Sequence, residues 1–406
     1  MHTGHEPQLA ALRAGAGGPV SSPTAHAERV RSLFARDRRS DLWTGLARLG
    51  GVLPPAGNAD TDPWALLRGW KHPPGGGCAD GRLVRATGSA DGDARPRFDA
   101  AIPSGGYGWW YIDATSDADG PDGGQYGLTI IAFLGSVFSP YYRKSGRGDP
   151  IDHAALNVAL YGPKARWTMT ERSRSSVDRD ADTITIGPSA MRWTGDALEI
   201  EIEERDKRVG VPWQRRVSGR IRLYPEALNG TAFALDPAGR HRWHCLAPRA
   251  RIEVEMDNPA VRWKGGAYLD SNFGAESLEE GFRIWHWSRA HTRNGAVVCY
   301  EGVRRDGSHF ASALRFGADG APDHAELPPA APLSNTLWQM ERRTRADLGL
   351  AHVVKTWEDA PFYARSTAAS RLYGERVTVV QESLDLDRFA SPIVQFMLPY
   401  RMPRRL

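Results

Sequence analysis

LEIEI (Leu198–Ile202), GRIRLY (Gly219–Tyr224) and RIEVEM (Arg251–Met256) decide the fold, because each alternates apolar and polar residues with a period of two. An extended strand with that pattern has one apolar face and one solvated face. TITIG (Thr183–Gly187), FRIWHW (Phe282–Trp287), AVVCYEG (Ala296–Gly302) and RVTVVQE (Arg376–Glu382) continue the series beyond Phe98, with turn residues about every ten positions. Few segments hold a long helical period. The pattern predicts an all-β chain of antiparallel sandwiches or barrels and argues against a βαβ nucleotide-binding fold. SGGYGWW (Ser104–Trp110) lacks the strand, loop and helix context of a dinucleotide site, and no Gly-x-Ser-x-Gly elbow occurs.

Upstream of about Pro96 the composition shifts to Gly, Ala, Pro and Asp, and GGPVSSP, LPPAGNADTDP, HPPGGG and GSADGDARP read as loops or disorder. Within this region Ala25–Leu49 sets Val30, Leu33, Phe34, Leu42, Leu46 and Leu49 at largely helical spacing opposite six arginines and three acids. Two readings fit it: an amphipathic helix docked on the main body, or a helix lying on a membrane surface.

The 406 residues can bury a sizeable core, and 41% hydrophobic with 25% charged content is ordinary for a globular protein. A formal charge of +4, with Arg spread among acids, makes nucleic acid a poor partner. Basic residues do gather at Arg36–Arg39, Arg205–Arg216 and in the terminal YRMPRRL, which keeps an anionic membrane surface in play. Cys78, Cys245 and Cys299 are odd in number and in no metal spacing, which fits a reducing compartment. The start MHTGHEPQLA lacks an apolar signal core, and GLTIIAFLGSVF (Gly127–Phe138) is shorter than the about 20 residues a spanning helix needs. A cytoplasmic or peripheral protein is expected.

Chemistry concentrates at KGGAYLDSNFG (Lys264–Gly274), where one carboxylate, Asp270, sits among glycines and rings. HRWH (His241–His244) lies upstream, WHW (Trp285–Trp287) lies downstream, and Trp263 is close in sequence. Asp270 has two readings. Asp-Ser-Asn between glycines makes a good turn, with the Asp capping backbone N–H groups. Burial against rings would instead raise the carboxyl pKa, by up to about 3–5 units, and make it a proton donor at neutral pH. Trp243 and Tyr268 are either core residues or ring faces able to shelter a cation, each for about 2 kcal/mol. His241 and His244 should point to opposite faces of a strand, and no CxxC or HExxH accompanies them, so no metal site is expected.

At these residues a resemblance becomes specific. FDAAIPSGGYGWWYIDA, GLTIIAFLGSVFSPYY, HAALNVALYGP, WTMTER, GRHRWHCLAPRARIEVEM and WKGGAYLDSNFGAESLEEGFRIWHWSRA resemble the acyclic carotenoid 1,2-hydratases, or hydroxyneurosporene synthases, of purple photosynthetic bacteria. The likeness runs from about Phe98 to the C-terminus. It implies two lipocalin-like antiparallel β domains, placed here at 93–292 and 293–406, after an N-terminal extension of residues 1–92 with a helix near 25–49. It also implies cofactor-independent addition of water to the terminal C1–C2 double bond of an acyclic carotene such as neurosporene or lycopene. Asp270 then resembles the proton donor to C2, and Trp243 and Tyr268 the stabilisers of the tertiary cation at C1. His241 resembles the partner that orients Asp270 or the attacking water. Expected partners are the carotene, water and a membrane surface reached from the cytoplasmic side. A lipocalin-like carotenoid carrier, or an isomerase or cyclase that quenches the cation by proton loss, remain the competing functions.

Overall fold

In the strand Leu198–Asp206 every second side chain is buried, from Leu198, Ile200 and Ile202 to Glu204 and Asp206. Its antiparallel neighbour Arg215–Pro225 sets Ile221 opposite Ile200 and Leu223 opposite Leu198. Such pairs fix the register, since a slip of one residue would turn the whole apolar set outward. The structure, a computed structural model, describes residues 81–86, 94–117, 125–206 and 213–405. The stretch Ala25–Leu49 and Cys78 lie outside them.

All seven sequence runs fall on strands. The larger sheet has 14 strands, and at its centre Gly127–Leu134, Tyr107–Ser116, Ala260–Gly274, His241–Asn258, Arg215–Pro225 and Leu198–Asp206 follow one another as neighbours. At one end of this sheet the short strand Arg404–Arg405 lies parallel to Arg166–Arg172. The second sheet has seven strands, with Gly295–Arg304, Phe282–Thr292, Glu375–Asp385 and Tyr363–Leu372 adjacent in its middle. A two-stranded ribbon, Ala330–Leu333 with Arg342–Arg345, completes the described strands. The all-β, lipocalin-like fold class expected from the sequence is the one the chain adopts.

The central strands Tyr107–Ser116 and Gly127–Leu134 do not alternate in burial, because both of their faces are covered. One face, with Trp110, Ile112, Ala114, Leu128 and Ile130, belongs to the mainly aliphatic core of the larger sheet, together with Leu269 of the adjoining strand. The opposite face meets the second sheet. Trp109 packs on Trp285 with ring centroids 6.0 Å apart, Tyr111 lies edge-on to Trp287 at 5.6 Å, and Asp113 pairs with Arg289. One side of the same strands is thus aliphatic, and the other is aromatic and ionic.

Candidate active site

The strand Ala260–Gly274 brings Tyr268, Asp270 and Asn272 onto its second-sheet face by simple alternation. Asp270 is in mid-strand, paired with Tyr111, and this overturns the turn reading of Asp-Ser-Asn. The residue is 4% exposed. Trp243 Nε1 donates to Asp270 Oδ2 at 2.9 Å, and the Tyr268 hydroxyl donates to the same oxygen at 2.8 Å. Irregular pairing of His241–Asn258 with Ala260–Gly274, between His244 and Ala250, follows directly after Trp243. Such bulges re-aim side chains beside functional groups.

Burial is the main influence on Asp270 and pushes its pKa up to about 8, against the pull of the Trp243 and Tyr268 donors; the negative charges of Glu382 and Asp113 add to the rise. The acid is therefore largely protonated at neutral pH. Oδ1 is buried without a hydrogen-bond partner, whereas Oδ2 already accepts two. Oδ1 is thus the oxygen free to carry the proton.

Rings enclose this group. Tyr268 packs against Trp287 at 5.1 Å and Tyr111 at 6.2 Å, and Trp243 lies edge-on to Tyr300 at 5.3 Å. Tyr300 in turn meets Trp285 at 5.5 Å. Trp263 does not join them, because it belongs to the aliphatic core on the other face.

His241 is fully buried but is not bonded to Asp270. Its Nδ1 is 2.9 Å from the Tyr107 hydroxyl and its Nε2 is 3.1 Å from Glu276 Oε1. A carboxylate only accepts, so Nε2 carries the proton and Nδ1 accepts from Tyr107. Burial lowers the imidazole pKa, with partial compensation from Glu276 and Asp236, and the ring is neutral. Gly281 leaves room for it, since a Cβ there would stand 2.3 Å from Nε2.

Sequence reading missed a second group. Burial alone would raise the Asp113 pKa, but the guanidiniums of Arg289 and Arg365 outweigh it and hold the carboxylate low. The Tyr111 hydroxyl donates to Glu382 Oε1 at 2.6 Å and lies 3.2 Å from Asp113 Oδ2, while Arg365 binds Tyr111 and Glu382 together. The signal available was the i, i+2 spacing of Tyr111 with Asp113, and of Trp285, Trp287 and Arg289, on strands with one polar-aromatic face. Among the described residues no group of three or more His, Cys, Asp or Glu is arranged to hold a metal ion.

Comparison with known proteins gives the chain its relatives in fold and sequence. A crystal structure of a protein described as an AttH, from Nitrosomonas europaea, aligns with a TM-score of 0.50 at 14% identity over 73% of this chain and 98% of its own, a likeness of fold. The acyclic carotenoid 1,2-hydratase of Thiocapsa roseopersicina is 47% identical over 384 residues, 93% of each chain. That of Rubrivivax gelatinosus is 47% identical over 396 residues, 95% of each. Residues 130–406 match the family of the carotenoid hydratase CrtC, and the chain belongs to that carotenoid hydratase family.

Proposed function

We propose that the chain adds water across the terminal C1–C2 double bond of an acyclic carotene, with Asp270 as the acid. The observation that supports this most is a buried carboxyl with a pKa near 8 whose Oδ1 has no partner inside an aromatic enclosure. An alkene is a very weak base, so its protonation needs an acid that stays neutral at working pH. Asp270 gives its proton to C2, the π electrons form the new C–H bond, and the tertiary cation is left at C1. Trp243 and Tyr268 hold Oδ2, which turns Oδ1 toward the substrate, and their rings face the positive charge. With both nitrogens engaged, His241 acts as a positioning residue that fixes Tyr107 and the adjoining Phe282 wall, 4.8 Å away. Water then captures C1.

The chemistry asks only for an acid and water, and turnover should continue in a chelator with no nucleotide added; strict dependence on a divalent ion would refute that. Purified protein given lycopene in liposomes should yield a 1-hydroxylated product, and the Asp270→Asn variant should not. A carrier would bind lycopene equally in both and convert it in neither.

The substrate lives in a bilayer, yet no described helix is long and apolar enough to cross one. Peripheral attachment on the cytoplasmic face is the arrangement we favour. Its support is the helix Pro392–Arg401, where Phe396 and Tyr400 are 55% and 49% exposed with rings 5.7 Å apart. Beside it packs Pro140–Lys144, with Arg143 and Lys144 exposed. Leu398 is buried, Arg401 covers the Trp167 ring at 4.2 Å and Arg404 binds Asp152 at 2.7 Å, so these three serve packing.

A further inference from the structure

Hydration of a cation requires an acceptor for the proton that water sheds. Asp270 Oδ2 is filled by two donors, and both nitrogens of His241 are engaged elsewhere. Tyr111 stands opposite Asp270 on the neighbouring strand, and its hydroxyl leads to Glu382 on the second sheet. Glu382 is in register with Trp287, whose ring packs on both Tyr268 and Tyr111. Trp287 is 5% exposed, and its Nε1 is buried with no hydrogen-bond partner, as is Asp270 Oδ1. Buried polar atoms are nearly always satisfied, and a buried water makes about three hydrogen bonds. Trp287 and Glu382 are cross-strand partners, and the Trp287 ring touches Tyr268, which holds Asp270, so two unsatisfied polar atoms and a carboxylate are gathered around one group of rings.

We propose that Glu382 and Trp287 Nε1 hold the water that captures the cation, and that the Glu382 carboxylate takes its proton. The proposal rests on Asp270 being the acid. The indole N–H donates to the water oxygen, and one water hydrogen points to Glu382. A remaining lone pair forms the C1–O bond and creates an oxonium, which passes a proton to Glu382 and leaves the neutral tertiary alcohol. Glu382 releases that proton to solvent and Asp270 regains one, so each cycle consumes one water and no net acid. An oxonium is so strong an acid that a carboxylate paired with Arg365 suffices as the acceptor.

The test is lycopene turnover in deuterium oxide, with mass spectrometry of both product and recovered lycopene. In Glu382→Gln, hydration should fall about a hundredfold, while the cation still forms and returns to alkene by losing a proton. Deuterium should therefore accumulate in recovered lycopene relative to product. Tyr111→Phe keeps the ring but removes the hydroxyl that orients Glu382, and the misplaced carboxylate should shift the same ratio in the same direction, which serves if Glu382→Gln folds poorly. Parallel loss of hydration and deuterium uptake would assign Glu382 to the acid step, and unchanged hydration would remove it from the reaction; either overturns the proposal. Asp270→Asn, run alongside, should abolish both signals. Retained turnover there would defeat the Asp270 assignment itself and the proposal with it, a failure distinguishable from that of Glu382 alone.

Discussion

Asp270 carries one oxygen that is held and one that is free, and its variants should separate those roles. Asp270→Asn keeps the shape and both donors but has no proton to give, so turnover should drop at least about a hundredfold while circular dichroism stays unchanged. The wild-type rate should be flat in the neutral range and decline above about pH 8, as the acid ionises. Stability follows the same titration. A carboxyl whose pKa is about 4 when unfolded and raised when folded contributes most in acid and loses that contribution as pH rises through about 8. Asp270→Asn lacks this dependence, so the Tm of wild type should fall relative to the variant between about pH 4 and 8 and level off above, as read by scanning calorimetry. Tyr268→Phe removes a donor that favours the carboxylate, and should move the falling limb of the rate profile to higher pH. Trp243→Phe should do the same, whereas Trp243→Leu also removes a ring face and should cost about a further tenfold in kcat with little change in KM. Equal effects of Phe and Leu would reduce the indole to its N–H. The trio Asp270, Trp243 and Tyr268 was named through the family resemblance, because spacing alone also allowed a turn at Asp-Ser-Asn, and it is the strand pairing that brings the three together. The attachment of His241 was not legible, since it depends on Glu276 and on the space above Gly281.

Among the elements, period-two runs were read directly as strands, because one-sided burial writes itself into composition. Continuous runs such as GLTIIAFL were harder to place, as strands covered on both faces lose the alternation. The C-terminal segment shows a different limit. Its apolar residues and arginines look alike in sequence, but the helix Pro392–Arg401 buries Val394, Leu398 and Arg401 and exposes Phe396 and Tyr400. Replacing Phe396 and Tyr400 with Ser should weaken flotation with anionic liposomes at low salt and leave the fold intact. Arg143→Glu with Lys144→Glu should add to the loss by roughly 1 kcal/mol for each cation removed. Equal flotation of all variants would place the membrane contact elsewhere.

At the scale of the molecule, the two sheets are joined by the ion group of Asp113, Arg289, Arg365 and Glu382, whose members lie far apart in sequence. Local spacing hints at each strand's polar face but not at which strands meet. We propose that the expected domains, 93–292 and 293–406, unfold together because this group binds strands of both. Calorimetry should show one transition for the β body. Asp113→Ala should destabilise it by about 3–5 kcal/mol, since Arg289 would lose its buried counter-ion and Arg365 one of its two, and two separate transitions in the wild type would contradict the idea. The dryness that keeps Asp270 uncharged has a further consequence. The reagent the enzyme must add is the solvent it must keep out, so a molecule abundant outside becomes scarce inside and is admitted by number. A mutation that merely wets this interior would supply more of the second reactant and yet slow the reaction, because the acid would ionise before it could act.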